Sequence, residues 1–116
     1  MPTLKVRTVV PEPKRVRRIE GSFGWLDHRL LRDGHLEGMT LTDLAVYVFL
    51  VLAADRDGVS FYRKDVISRK LDIEWNDFEQ AKRRLIERRL IAFRPFSPSE
   101  IDGFYQVLPL PAGGAA

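Results

Sequence analysis

The run "LAVYVFLVLAA", residues 44–54, constrains the fold more than any other stretch. Its eleven residues carry no charge, no glycine and no proline. That is too short to cross a bilayer, which takes about 20 residues. The run is apolar on every side, so a helix made from it must be buried on more than one face. Upstream, Thr40 is followed three residues later by Asp43, a capping-box spacing with Asp in the place of Glu. Downstream, "DRDG" closes the segment. The pattern predicts a helix over residues 41–56, with the rest of the chain packed around it.

Two further helical patterns follow. "YRKDVISRKLDI" offers Val66, Ile67 and Leu71, enough for about two turns. Residues 72–75 form a tight turn. A helix over residues 75–88 then sets Phe78, Ala81, Leu85 and Ile86 on one face at spacings of three and four. "GVSFY" before these helices reads as a short extended segment. After them, "LIAFRPF" and "FYQVLPL" have strand composition and are joined by "SPSEIDG", residues 97–103, as a hairpin. Ahead of the central run, Phe23, Trp25, Leu26, Leu30 and Leu31 mark a short helix over residues 24–32 that ends around Gly34. This segment, or a partner subunit, is the expected cover for the central helix.

The order is helix, strand, helix, turn, helix, strand, loop, strand. Over residues 40–108, with Ala81, Leu85, Leu90 and Ile91 carrying the end of the pattern, the chain resembles the winged helix-turn-helix domains of bacterial transcription regulators and plasmid-type replication initiators. The resemblance implies a mainly α fold with a small β-hairpin wing (α+β) and an extra short N-terminal helix. Three features depart from the family pattern. Arg89 stands where a glycine usually turns the chain with positive φ. The turn before the third long helix is acidic, "DIEWND". The loop of the hairpin carries Glu100 and Asp102 and no basic residue.

Charge is divided unevenly along the chain. Residues 1–20 hold Lys5, Arg7, Lys14, Arg15, Arg17 and Arg18 against Glu12 and Glu20, a net +4, and the remainder is −1. The expected organisation is a flexible basic arm over residues 1–21, the winged domain over 22–108, and a disordered Pro/Gly/Ala tail over 109–116. The chain has no cysteine, which excludes disulfides, thiolate metal sites and cysteine nucleophiles. It shows no Gly-rich phosphate loop and no nucleophile elbow, and no metal ligand spacing. His28 and His35 stand seven apart, and that spacing matches no helical ligand pair. An enzyme has no constellation to rest on, no cofactor is expected, and no small-molecule ligand is evident. With no signal-peptide core at the N-terminus, the expected location is cytoplasmic.

In the resembled fold the third long helix enters the major groove. Asn76, Gln80, Arg83 and Arg84 are then the candidates for base contact, since amides pair with adenine and guanidinium with guanine. Arg63, Lys64, Arg69, Lys70 and Arg94, with Lys14, Arg15, Arg17 and Arg18 of the arm, are the candidates for phosphate contact. The acids Asp72, Glu74, Asp77 and Glu79 suit the positive end of the helix dipole, and Glu79 is spaced to pair with Arg83. Trp75 is expected to cap the core between the two helices. Phe23, Trp25, Leu26, Leu30 and Leu31 are candidates for packing or for a homodimer contact. The expected function is a DNA-binding winged helix protein, a transcription regulator or a replication or transposition accessory factor, with double-stranded DNA as partner. The alternative is a protein-interaction module on the same fold, motivated by the acidic turn and loop.

Overall fold

The capping spacing at Thr40 closes as its residues predict. In the computed structural model, which describes residues 8–112, the Asp43 amide donates to Thr40 Oγ1 at 3.0 Å and the Thr40 amide donates to the Asp43 carboxylate at 3.2 Å. The helix that follows ends at Ala53, three residues earlier than expected. The cause lies in the Asp55 carboxylate, which accepts from the Asp57 and Val59 amides at 2.8 and 3.0 Å and so folds "DRDG" into a turn.

The described residues form an α+β unit with four α-helices: α1 (Arg29–Arg32), α2 (Leu41–Ala53), α3 (Lys64–Leu71) and α4 (Trp75–Glu87). Its strands are β1 (Val59–Ser60), β2 (Ile91–Pro95) and β3 (Gly103–Val107), in one antiparallel sheet of order β1-β3-β2. The core is built around α2, with Val46, Tyr47, Leu50 and Val51 against Ile67 of α3, Phe78, Ala81 and Leu85 of α4, and Ile91 and Tyr105 of the sheet. No helix among the described residues is long and apolar enough to cross a membrane.

Two turns set the direction of α4. At its start, Asp72 adopts a left-handed conformation (φ 56°) and the Ile73 amide donates back to the Ser68 carbonyl. At its end, Arg89 takes φ 61°, with its amide on the Ile86 carbonyl and the Leu90 amide on the Leu85 carbonyl. That pair of bonds is a Schellman closure. Arg89 therefore makes the turn a glycine would make and bears the strain of doing so.

Four expectations are corrected. The N-terminal helix is one turn, Arg29–Arg32, instead of residues 24–32. Gly24 lies flat against the end of α2, where an added Cβ would stand 3.1 Å from the Val51 carbonyl oxygen. The helix starts only after the Asp27 carboxylate has accepted the Arg29 amide at 2.9 Å. Second, of the two expected covers for α2 this short segment supplies only part: Leu41 is 86% exposed and Leu52 67%. Third, the hairpin loop is residues 96–102, because Gly103 pairs with Pro95 inside the sheet. A Cβ on Gly103 would run into the Arg94 carbonyl, so only glycine fits there. Fourth, the packed unit passes residue 108. Leu110 is buried in the core and the Leu108 amide donates to the Leu90 carbonyl at 3.0 Å. Residues 1–7 and 113–116, the ends of the expected arm and tail, lie outside the described residues. Within the arm, residues 13–15 form a single 3-10 turn with Arg15 on Glu12 at 3.0 Å.

Candidate nucleic-acid interface

Helical geometry advances about 100° per residue, and on α4 it puts Phe78, Ala81 and Leu85 inward. Asn76, Gln80, Arg83 and Glu87 come out on the opposite side, and all four are exposed. The structure thus brings three of the four base-contact candidates into one solvent-facing row.

Arg84 is not among them. It lies on the flank toward α2, where its Nη2 sits 2.8 Å from Asp43 Oδ1 and its Nε donates to both carboxylate oxygens at 2.9 and 3.1 Å. Asp43 is 1% exposed. Burial pushes its carboxyl pKa up. The Arg84 guanidinium and the Thr40 bonds outweigh that and hold it below the ordinary value. A planar guanidinium across a buried carboxylate is a structural tie between α2 and α4, and it takes Arg84 out of the reading set.

Lys64 is corrected in the same way. Its Nζ donates to Glu79 at 2.7 Å, lies 4.7 Å from the Trp75 ring centroid, and its side chain is only 11% exposed. It pins the start of α3 to α4 and is not free for phosphate. Glu79 therefore faces Lys64 rather than Arg83. Trp75 is half-exposed and covers this ion pair instead of the core. The Lys64 amide also donates to Asp102 Oδ1 at 2.8 Å. An acid of the hairpin loop caps α3 from 38 residues away, a job the local residue Arg63 cannot do.

The other phosphate candidates stay on the surface. Arg63 is exposed and holds Asp65 at 3.0 Å. Arg69 and Lys70, in the last turn of α3, are exposed. Arg94 is exposed on the outer side of the sheet, in register with Phe104. Lys14, Arg15, Arg17 and Arg18 of the arm are exposed as well.

Of the packing candidates, Leu30 alone enters the core, and Phe23, Trp25, Leu26 and Leu31 face solvent. The alternation along "RLLR" within a one-turn helix explains this, since only one of two adjacent leucines can face inward.

Three features escaped sequence reasoning. Lys82 lies half-buried with its Nζ 3.5 Å from the Phe93 ring centroid, and burial pushes its pKa down. With Glu79, Arg83, Ile86 and Glu87 it lines a shallow depression along α4. Arg88 donates to the carbonyls of His35 and Glu37 at 2.7 and 3.0 Å and fastens the loop after α1. The third is an exposed aromatic group on the outer sheet face: Phe104 meets Phe96 edge-to-face at 4.9 Å and Phe61 at 6.5 Å. The period-two alternation of β3 could have flagged it, since Phe104 stands opposite in facing to the buried Tyr105.

No family model, curated protein or solved structure matches the chain.

Proposed function

We propose that the chain is a winged helix DNA-binding protein, a transcription regulator or a replication or transposition accessory factor, that docks α4 in the major groove of duplex DNA. The observation that carries the reading is the exposed row Asn76, Gln80 and Arg83 on a helix whose opposite face is locked into the core. Two amides and a guanidinium are the side chains that read purine edges. The acidic entrance is partly neutralised, because Glu79 is held by Lys64. Arg69, Lys70, Arg94 and the arm supply the phosphate contacts, with Arg63 able to leave its exposed pair with Asp65.

The test is a titration of labelled duplex DNA at two salt concentrations, using the full chain, a chain lacking residues 1–20, and Arg83→Ala. The expected outcome is binding that weakens steeply with salt, a shallower slope without the arm, and weaker, less selective binding for Arg83→Ala. A full chain that binds no duplex at low salt refutes the reading.

The second reading, a protein-interaction module, is favoured by the outer aromatic group of Phe61, Phe96 and Phe104. Clustered exposed apolar side chains mark interaction sites. It gains if duplex binding is absent while the fold is intact.

A further inference from the structure

We propose that the outward face of α2 is where a second copy of the chain packs, the two α2 helices crossing antiparallel about a two-fold axis near Ala45 and Val48. This goes beyond the DNA reading and does not rest on it.

Leu41, Ala45, Val48 and Leu52 follow one another at steps of four, three and four. That spacing sets them in one row, on the side of α2 opposite the buried Val46, Tyr47 and Leu50. Both ends of the row are open to water, Leu41 at 86% and Leu52 at 67% exposure. Next to Leu52 the chain brings up two aromatics. Gly24 rests against Leu52, where an added Cβ would meet the Leu52 side chain at 3.2 Å. Its neighbours Phe23 and Trp25 are exposed, Trp25 at 79%. Ala45 and Val48 between them are half-buried. Single exposed apolar residues are ordinary; a row with both ends open beside two exposed aromatics is a surface that awaits cover.

Three observations point to another copy as the cover. The first is symmetry. A two-fold interface must match its own surface, and this row does. An axis midway along it places Leu41 against the partner's Leu52 and Ala45 against the partner's Val48. The large side chains meet at the ends and the small ones at the crossing, where helices approach to about 8–10 Å. The second is charge. Between Leu41 and Ala54 the only charged residue is Asp43, and it is turned inward onto Arg84. Nothing on the face repels its own image, and nothing on it selects a charged ligand. The third is area. A standard interface takes about 800 Å² per partner. The open parts of Phe23 and Trp25, 64% and 79% of the about 150–250 Å² an aromatic side chain can bury, added to two open leucines, supply the larger part. The dimer expected from residues 23–31 together with the apolar run 44–54 is thereby narrowed: Leu30 belongs to the core, and the contact centres on the α2 row beside Phe23 and Trp25.

The test uses the full chain, which has no cysteine, so introduced cysteines report without background. Sedimentation velocity from micromolar to millimolar concentration is expected to show a monomer–dimer equilibrium. Ala45→Glu is expected to raise the dissociation constant by about a hundredfold or more, since it buries a carboxylate at the crossing, with the far-UV spectrum unchanged. Leu52→Gln serves as the second variant, with the same direction expected. Leu41→Cys and Leu52→Cys chains carrying different tags are expected to cross-link to each other in preference to themselves. A strict monomer at every concentration overturns the inference. So does a dimer indifferent to both variants, or self-linking by Leu41→Cys in preference to the mixed pair. A monomer that still binds duplex DNA defeats this inference alone; a dimer that binds none defeats the DNA reading alone.

Discussion

Arg84 of α4 clasps Asp43 of α2 through three short contacts, and Asp43 is at once the third residue of the α2 capping box. One carboxylate therefore satisfies the first turn of α2 and joins α2 to α4. Replacing it by alanine opens the box, leaves the Thr40 amide without its partner and strands the guanidinium. Asp43→Ala should cost about 3 kcal/mol, a cap of about 1 plus about 2 for the charged hydrogen bonds lost to a guanidinium that remains partly solvated. Arg84→Ala should destabilise in the same direction without changing which bases are read. Arg83→Ala should do the reverse, weakening duplex binding while leaving the urea midpoint in place. Equilibrium urea unfolding of the three variants beside the duplex titration separates the roles.

The same carboxylate predicts an acid limb. The folded pKa of Asp43 is lowered, so the unfolded chain binds the proton more readily. The stability from this group is then fully present above the ordinary carboxyl value of about 3.9. It is lost as pH falls through the lower folded value. Asp43→Asn should be less stable at neutral pH and should lose less stability between neutral and acid conditions than the parent. Urea midpoints measured from neutral pH down through the acid range check this; identical slopes for the two proteins would count against it.

Arg89 predicts a gain. It holds φ 61° at the Schellman position closing α4, where a side chain costs about 1 kcal/mol that glycine does not pay. Its side chain is exposed, so little packing is lost. Arg89→Gly should raise stability by about 0.5 kcal/mol, after allowing for the greater freedom of glycine in the unfolded chain. Thermal unfolding should show a higher midpoint. A lower one would mean that the Arg89 side chain contributes more than its exposure suggests.

These three sites also show what was legible in the sequence. The capping box at Thr40 and Asp43 was, because it depends on residues three positions apart; at Arg89 the resemblance marked the place of a turn, while the positive φ of a non-glycine residue there shows only in the structure. The outward placement of Asn76, Gln80 and Arg83 agrees with helical spacing, but in the sequence Arg84 was not separated from them. The tie from Arg84 to Asp43 was not legible, since it spans 41 residues and needs the relative placement of two helices. The same holds for Lys64 on Glu79 and for Asp102 capping α3, at separations of 15 and 38. Local spacing pairs Glu79 with Arg83; tertiary packing offers it a nearer, better sheltered ammonium. The short α1 falls short of the expected helix because Phe23, Trp25 and Leu26 carry an apolar rhythm that the close contact of Gly24 with α2 overrides.

Leu110 supplies the last prediction. Its surroundings, "PLPAGG", have the composition of a loose tail, yet its side chain is 8% exposed and belongs to the core cluster. Deleting a buried leucine side chain removes its transfer free energy and leaves a cavity, together about 2–5 kcal/mol. Leu110→Ala should fall at the low end, about 2 kcal/mol, because the residue lies outside any helix or strand and its backbone can collapse into the space more easily. Leu31→Ala, at an exposed position of α1, should change stability by less than about 0.5 kcal/mol. Leu30→Ala, one residue earlier and buried, should cost as much as Leu110→Ala or more. Urea unfolding of the three variants is decisive for the boundary of the folded unit. A neutral Leu110→Ala beside a costly Leu30→Ala would end that unit before residue 110, whereas comparable costs for the two place the C-terminal segment inside the fold.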